Sequence, residues 1–179
     1  FRDLSMIKYI FLFFMLLFFS MVNSEMLDFL KPNKIMVSPP VSGVVLKGGE
    51  PVENIELSLL AGFNKYYHRV ARTNEQGRFY FEPINHSQWF KPLSINTNLI
   101  GIQIVASFNN HEVLLWSSHT GLKLYDYILD NLDNLECDID DVPHEYHFKN
   151  RVVPSGRSHS VYGICRLRGY EEKITREDL

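Results

Sequence analysis

The chain is poor in the features that would commit it to a familiar chemistry. Only Cys137 and Cys165 are cysteines among 179 residues, and without a Cys-x-x-Cys pair there is no basis for a redox dithiol or a thiolate zinc site. His144-Glu145-Tyr146-His147 lacks the spacing of His-Glu-x-x-His, and on a strand residues three apart face opposite sides, so these histidines do not form a ligand pair. Gly156-Arg157-Ser158-His159-Ser160 is not the Gly-x-Ser-x-Gly elbow of a serine hydrolase. A calcium loop opening at Asp138 would need glycine at its sixth position, where Pro143 stands. No catalytic residue, metal ligand or cofactor is therefore assigned.

Positive charge is also scarce, with 18 Lys plus Arg against 21 Asp plus Glu. Nucleic-acid affinity comes largely from neutralising phosphates, so nucleic acid is excluded as a partner. The apolar run Tyr9 to Phe19 is about half of the roughly 20 residues that a membrane-crossing helix needs. It follows Lys8 and precedes Ser20, Met21, Val22, Asn23 and Ser24, which together make the three regions of a secretory signal. We read residues 1–24 as upstream residues and signal peptide, with Phe1 to Ser5 ahead of the first methionine, Met6. Cleavage after Ser24 leaves no stable membrane insertion, and a retained N-terminal anchor is the competing reading. The first cysteine is Cys137, far from that point, which excludes a lipoprotein anchor. The expected compartment is periplasmic or extracellular.

Setting aside Arg2, Lys8 and Asp3, the segment from Glu25 holds 16 basic and 20 acidic residues. Its 155 residues suit one domain that buries about two-thirds of its unfolded surface. Residues 25–41, with Pro32, Pro39 and Pro40, read as an extended lead-in, and residues 42–179 as the folded domain.

In that domain the hydrophobic period is two. Val44 and Leu46 alternate before the Gly48-Gly49 turn, and Ile55, Leu57 and Leu59 alternate after it, describing half-buried antiparallel strands. Residues 65–71 suit another strand, and 73–81 a polar turn entering a strand with Phe79 and Phe81 on one face. The apolar runs 99–108 and 111–118 flank Asn109-Asn110, a two-residue hairpin signal. Residues 121–136 fit one short helix or an irregular turn, while 144–148 and 160–167 read as closing strands. The fold class is mainly β, a single antiparallel β-sandwich with at most one short helix.

Ser42-Gly43-Val44-Val45, Gly49-Glu50-Pro51-Val52, Ile55-Glu56-Leu57 and Thr73-Asn74-Glu75-Gln76-Gly77-Arg78-Phe79-Tyr80-Phe81 resemble the carboxypeptidase-regulatory-like, or transthyretin-like, β-sandwich. That module carries Gly-x-Val, Gly-x-Pro-Val and Thr-Asp-x-x-Gly-x-Phe-x-Phe at these places. Asn74 replaces the commoner Asp, and either side chain can cap the turn. The resemblance covers about 40 residues. The later Leu135-Glu136-Cys137-Asp138-Ile139 and Gly163-Ile164-Cys165 are similar to a group of small exported bacterial proteins built on the module. The resemblance implies a binding or supporting module without a catalytic set. The transthyretin-like hydrolases of purine breakdown end in Tyr-Arg-Gly-Ser, which the ending RLRGYEEKITREDL does not match.

In an oxidising compartment the even cysteine pair implies a Cys137–Cys165 disulfide, worth roughly 3 to 4 kcal/mol by loop-closure entropy. Eight acidic residues and no Lys or Arg lie between Asp126 and Glu145. Within this block Asp138, Asp140 and Asp141 are the candidate partner surface, against the plainer reading of a solvated acidic face. Lys149, Arg151, Arg157, Arg166 and Arg168 follow, and opposite blocks on neighbouring strands can neutralise each other. The leading expectation is a non-catalytic binding module that engages a protein partner, in one version a periplasmic immunity-type inhibitor of a toxin. The alternatives are a carbohydrate or small-ligand binder using Trp89, Phe90, Trp116 and Tyr125, or an enzyme with an unrecognised site.

Overall fold

The computed structural model describes residues 11–13, 32–63, 65–89 and 99–175. The chain divides into two compact units, Phe1–Asn33 with Ser87–Lys91, and Lys34–His86 with Pro92–Leu179. In the first, residues 11–13 are helical and the Asn33 amide donates to the Trp89 carbonyl at 3.3 Å. The rest of the segment Met6 to Ser24 that was read as a signal, the expected cleavage point after Ser24, and Phe90 lie outside the described residues. No helix among the described residues is long and apolar enough to cross a membrane.

The structure is mainly β. Its strands are β1(Asn33–Ser38), β2(Val41–Lys47), β3(Glu50–Pro51), β4(Glu56–Gly62), β5(Tyr66–Arg72), β6(Arg78–Phe81), β7(Ile84–Gln88), β8(Ile100–Phe108), β9(His111–Thr120), β10(Leu135–Asp138), β11(His144–Phe148), β12(His159–Gly163) and β13(Glu172–Thr175), with helix α1(Asp126–Leu132) between β9 and β10. A seven-stranded sheet has the order β13-β11-β12-β9-β8-β4-β5. In a second sheet β2 is central, paired with β10, β3 and β6, while β1 and β7 form a two-stranded ribbon. Every registered pairing is antiparallel except β2 with β10, which runs parallel from Gly43↔Leu135 to Leu46↔Asp138. Val41, Val45, Phe79, Phe81, Leu135 and Cys137 of the smaller sheet join Leu57, Leu59, Ile102, Ile104, Trp116 and Tyr146 of the larger one in a common buried core. That is a β-sandwich.

Local chemistry explains the joints. Asn109 and Asn110 both have positive φ, 49° and 64°, as a tight hairpin turn between β8 and β9 requires. The two alternating runs around Gly48-Gly49 enter different sheets. Pro51, which has no N–H to extend a ladder, ends β3 after two residues, and the chain crosses to β4. Thr73, buried where β5 returns, fastens this crossing: its hydroxyl accepts from Ile55 N–H at 2.9 Å and donates to the Val52 carbonyl at 2.7 Å. Asn74 Oδ1 then accepts from Gln76 N–H and Arg78 N–H at 3.0 and 2.9 Å, so the amide caps the turn as an aspartate would. Gly77 sits at φ 68°, and a side chain there would meet the Val45 carbonyl oxygen at 2.5 Å.

Further along, the register of β8 with β9 shifts at Ile104/Val105, leaving Leu115 as an extra residue beside Trp116, and both are buried. The backbone at Leu115 presses so closely on Gly163 that a Cβ there would lie 2.1 Å from the Leu115 oxygen. Cys137 of β10 and Cys165 after β12 are joined by a disulfide, 28 residues apart in sequence and both buried. The segment read as a closing strand, 160–167, is regular only to Gly163, after which a single bridge pairs Arg166 with Glu136. Within the segment read as a lead-in, β1 buries Val37 and Ser38 completely.

Candidate functional site

The acidic block does not form one surface. Asp138 ends β10 with 6 % exposure, and its carboxylate accepts from the N–H groups of Gly48 at 2.9 Å, Gly49 at 2.6 Å and Asp140 at 3.1 Å. Burial works to raise its pKa, but these donors, with Arg166 nearby, outweigh it and hold the carboxyl below the ordinary range. Asp138 is thus a clamp on the β2–β3 turn, and the expectation that it belongs to a partner surface is corrected. The reason is the parallel β2–β10 pairing, which delivers its carboxylate to two glycine N–H groups about 90 residues away in sequence. Asp140 is exposed and lies 3.8 Å from Lys47, and Asp141 lies 3.7 Å from Arg166, which also pairs with Glu136 at 2.6 Å. Part of the basic block therefore neutralises part of the acidic one.

The remaining sequence candidates separate. Trp116 is fully buried, donating to the Ser118 hydroxyl at 2.9 Å, whereas Trp89 is 64 % exposed. His147 meets the Ser160 hydroxyl at 3.3 Å and Glu145 at 3.5 Å, while His144 stands edge-on to Tyr146 beside a separate hollow with Asp141 and Tyr170. Burial, with Lys173 adding to it, lowers the pKa of His144 against the opposing pull of Asp141. No group of three His, Cys, Asp or Glu residues suited to a metal occurs among the described residues.

Tyr125 leads elsewhere. It is the extended residue before α1, and it helps to line a cleft of about 160 Å³ flanked by the β11–β12 connection and the bend at 168–169. The helix is placed by Ile128 and Leu132, which are buried one turn apart, and by Asn131. The Asn131 amide donates to Tyr127 O and Arg168 O, and its oxygen accepts from Arg168 N–H at 2.7 Å, locking α1 to residue 168. This brings four rings into a nearly parallel group. Tyr125 lies 4.5 Å from His159, His159 5.3 Å from Tyr127, and Tyr127 4.7 Å from Phe148, all with interplanar angles of 28° or less.

Two polar atoms in this group are buried and make no hydrogen bond of ordinary geometry, Tyr127 Oη and His159 Nε2. Burial pushes the Tyr127 phenol up to about 12, with Tyr125 adding to the effect and the nearby Thr120 hydroxyl opposing it. Burial also lowers the pKa of His159, favouring the neutral ring. Around the opening stand Lys123, Lys149, Arg151 and Arg168 against Asp126 and Asp130. Lys149 has Glu171 at 3.9 Å, and Arg168 reaches the Asp130 carbonyl, while among the described residues Lys123 and Arg151 make no ion pair.

Of these ring residues the sequence reading singled out Tyr125 alone. Tyr127, Phe148 and His159 carry no spacing signal, because they come from a helix and two strands that meet only in the fold. The Tyr125-x-Tyr127 pair at the start of the acidic block was the available hint.

A comparison with curated proteins and one with solved structures each returned no match. A family model described as a domain of unknown function (DUF6795) matches residues 41–142. The match spans β2 to the end of β10 and includes Tyr125 and Tyr127, while Phe148, Arg151 and His159 lie beyond it. Since it covers more than half of the 179 residues, the chain belongs to the DUF6795 family.

Proposed function

We propose that this chain is an exported, non-catalytic binding module that receives its ligand in the cleft beside α1. The observation that carries the reading is the wall of stacked rings lining the cleft, in which His159 Nε2 is buried without a hydrogen-bond partner among the described residues and Tyr127 Oη has only the Thr120 hydroxyl near it. A buried polar group without a partner is costly, so such atoms mark where an incoming group can complete the bonding. Binding is favoured over catalysis because a phenol near 12 stays protonated at neutral pH, and among the described residues no carboxylate orients His159 as a base. Export is supported by the segment Met6 to Ser24 and fits the disulfide. The turn chemistry of Thr73, Asn74 and Gly77 supports kinship with the transthyretin-like module.

The test is to express the chain with its own leader, recover it from the exported fraction, and measure intact mass and fragment binding by saturation-transfer NMR. A mature N-terminus at Glu25 and ring-bearing fragments displaced by Tyr125→Ala are expected. Retention of Met6 to Ser24 in membranes would remove the cleaved-signal reading, and fragment binding indifferent to Tyr125→Ala would remove the cleft.

A second reading, a protein partner such as a toxin blocked by an immunity-type inhibitor, is favoured by β5. This outer strand of the larger sheet exposes one face, with Tyr66 at 55 % and Val70 at 53 %, while Tyr67 and Ala71 on the other pack against the core, and an unpaired edge can accept another strand. A pull-down from the source organism that is lost on Val70→Glu would support it, and an unchanged one would oppose it.

A further inference from the structure

We infer that the cleft selects a planar aromatic anion, a single or fused ring carrying one carboxylate, sulfonate or phosphate, over neutral rings and cations. The inference rests on the reading of the cleft as the binding site and adds its chemistry. Three features decide the class.

The first is ring orientation. Each stacked pair among Tyr125, His159, Tyr127 and Phe148 has an interplanar angle of 28° or less. A cage for a cationic ammonium needs ring faces turned toward it from several sides. Rings that are parallel and offset leave a slot whose natural occupant is another flat ring continuing the stack.

The second is charge. Four cations and two carboxylates line the opening and Glu171 pairs with Lys149, which leaves a net excess of one positive charge, and among the described residues Lys123 and Arg151 have no ion-pair partner. An anionic substituent reaching from the ring to the rim meets that excess, whereas a cation would meet it as repulsion.

The third is size. A cavity of about 150 Å³ holds benzene, and this one is about 160 Å³ and open on one side. One ring fits inside, a second can project past the exposed Val152, and a flexible chain or a large polymer gains little from the slot.

The experiment uses the full exported chain and titrates 2-naphthoate, its neutral isostere 2-naphthamide, and octanoate, which has the same charge on a flexible apolar chain. Binding is followed by calorimetry at low and high salt. The expected result is naphthoate on the order of tenfold tighter than naphthamide at low salt, as a few partly screened ion contacts would give, with the gap closing as salt rises. Naphthoate should also exceed octanoate. Arg151→Gln and Lys123→Gln, both at exposed positions, should narrow the gap to naphthamide without changing the melting temperature, and Tyr125→Ala should weaken both aromatic probes. Equal binding of naphthoate and naphthamide would overturn the anion assignment and leave the cleft standing. Octanoate binding as tightly as naphthoate would overturn the planar-ring assignment. Failure of every probe to bind would overturn the cleft reading itself.

Discussion

Replacing Asp138 by Asn keeps the shape of the side chain and removes its charge, which isolates what the carboxylate does for the β2–β3 turn. The amide oxygen can take the place of Oδ1 and keep the bonds to Gly48 and Asp140 N–H, both of about 3 Å. The amide NH₂ then faces Gly49 N–H, donor against donor, where the carboxylate made its shortest bond at 2.6 Å. A buried donor left without an acceptor costs about 1 to 3 kcal/mol, and the two surviving bonds lose their charge assistance, so Asp138→Asn should cost about 2 to 4 kcal/mol at pH 7. At roughly 2 to 4 °C per kcal/mol for a domain of this size, melting falls by about 5 to 15 °C. The sign with pH follows from the lowered pKa: the stabilisation is full above the unfolded value of about 4 and is lost as pH falls through the folded one. The gap between wild type and variant should therefore shrink in acid. Urea unfolding followed by the fluorescence of buried Trp116, at pH 7 and at pH 3, measures both. A variant within about 0.5 kcal/mol of wild type at pH 7, or an equal gap at both pH values, would refute the clamp. Asp140→Asn and Asp141→Asn, which break only exposed or half-exposed ion pairs, should each cost less than about 1 kcal/mol.

Three further outcomes are expected. Cys137→Ser with Cys165→Ser should lower stability by about 3 to 4 kcal/mol, the loop-closure value for cysteines 28 residues apart, and non-reducing peptide mapping of the wild type should recover the linked pair. Gly163→Ala places a methyl against the Leu115 oxygen and should cost about 2 to 3 kcal/mol or block folding, whereas Gly49→Ala, with open space around it, should cost less; thermal melts compare them. His159 has a folded pKa below its unfolded value of about 6.5, so the unfolded chain takes the proton first and stability, full above about pH 6.5, declines below it. Melting temperatures between pH 7.5 and 5 should fall less for His159→Phe, which keeps the stack and removes the titration.

Much of the architecture was legible because it is written in short-range chemistry. Alternation over 56–62 and 100–108 is a local consequence of a strand half in the core, Asn109-Asn110 suits the positive φ of its turn, and Thr73 to Gly77 form a turn from neighbouring donors and acceptors. The disulfide followed from two cysteines and a compartment. What depended on distant partners was not legible. β10 is four residues long and pairs in parallel with a strand about 90 residues earlier, so nothing local distinguishes it from a turn, and Asp138 looked like one more surface carboxylate until that pairing buried it. The cleft is the same case. Tyr125 and Tyr127, Phe148, His159 and Arg168 lie on separate segments, and the ring group exists only because Asn131 and the β11–β12 pairing bring them together. Composition and periodicity determined that this chain is a disulfide-bearing β-sandwich. Which polar groups lost their water was decided by tertiary packing alone, because desolvation depends on neighbours that sequence spacing does not encode.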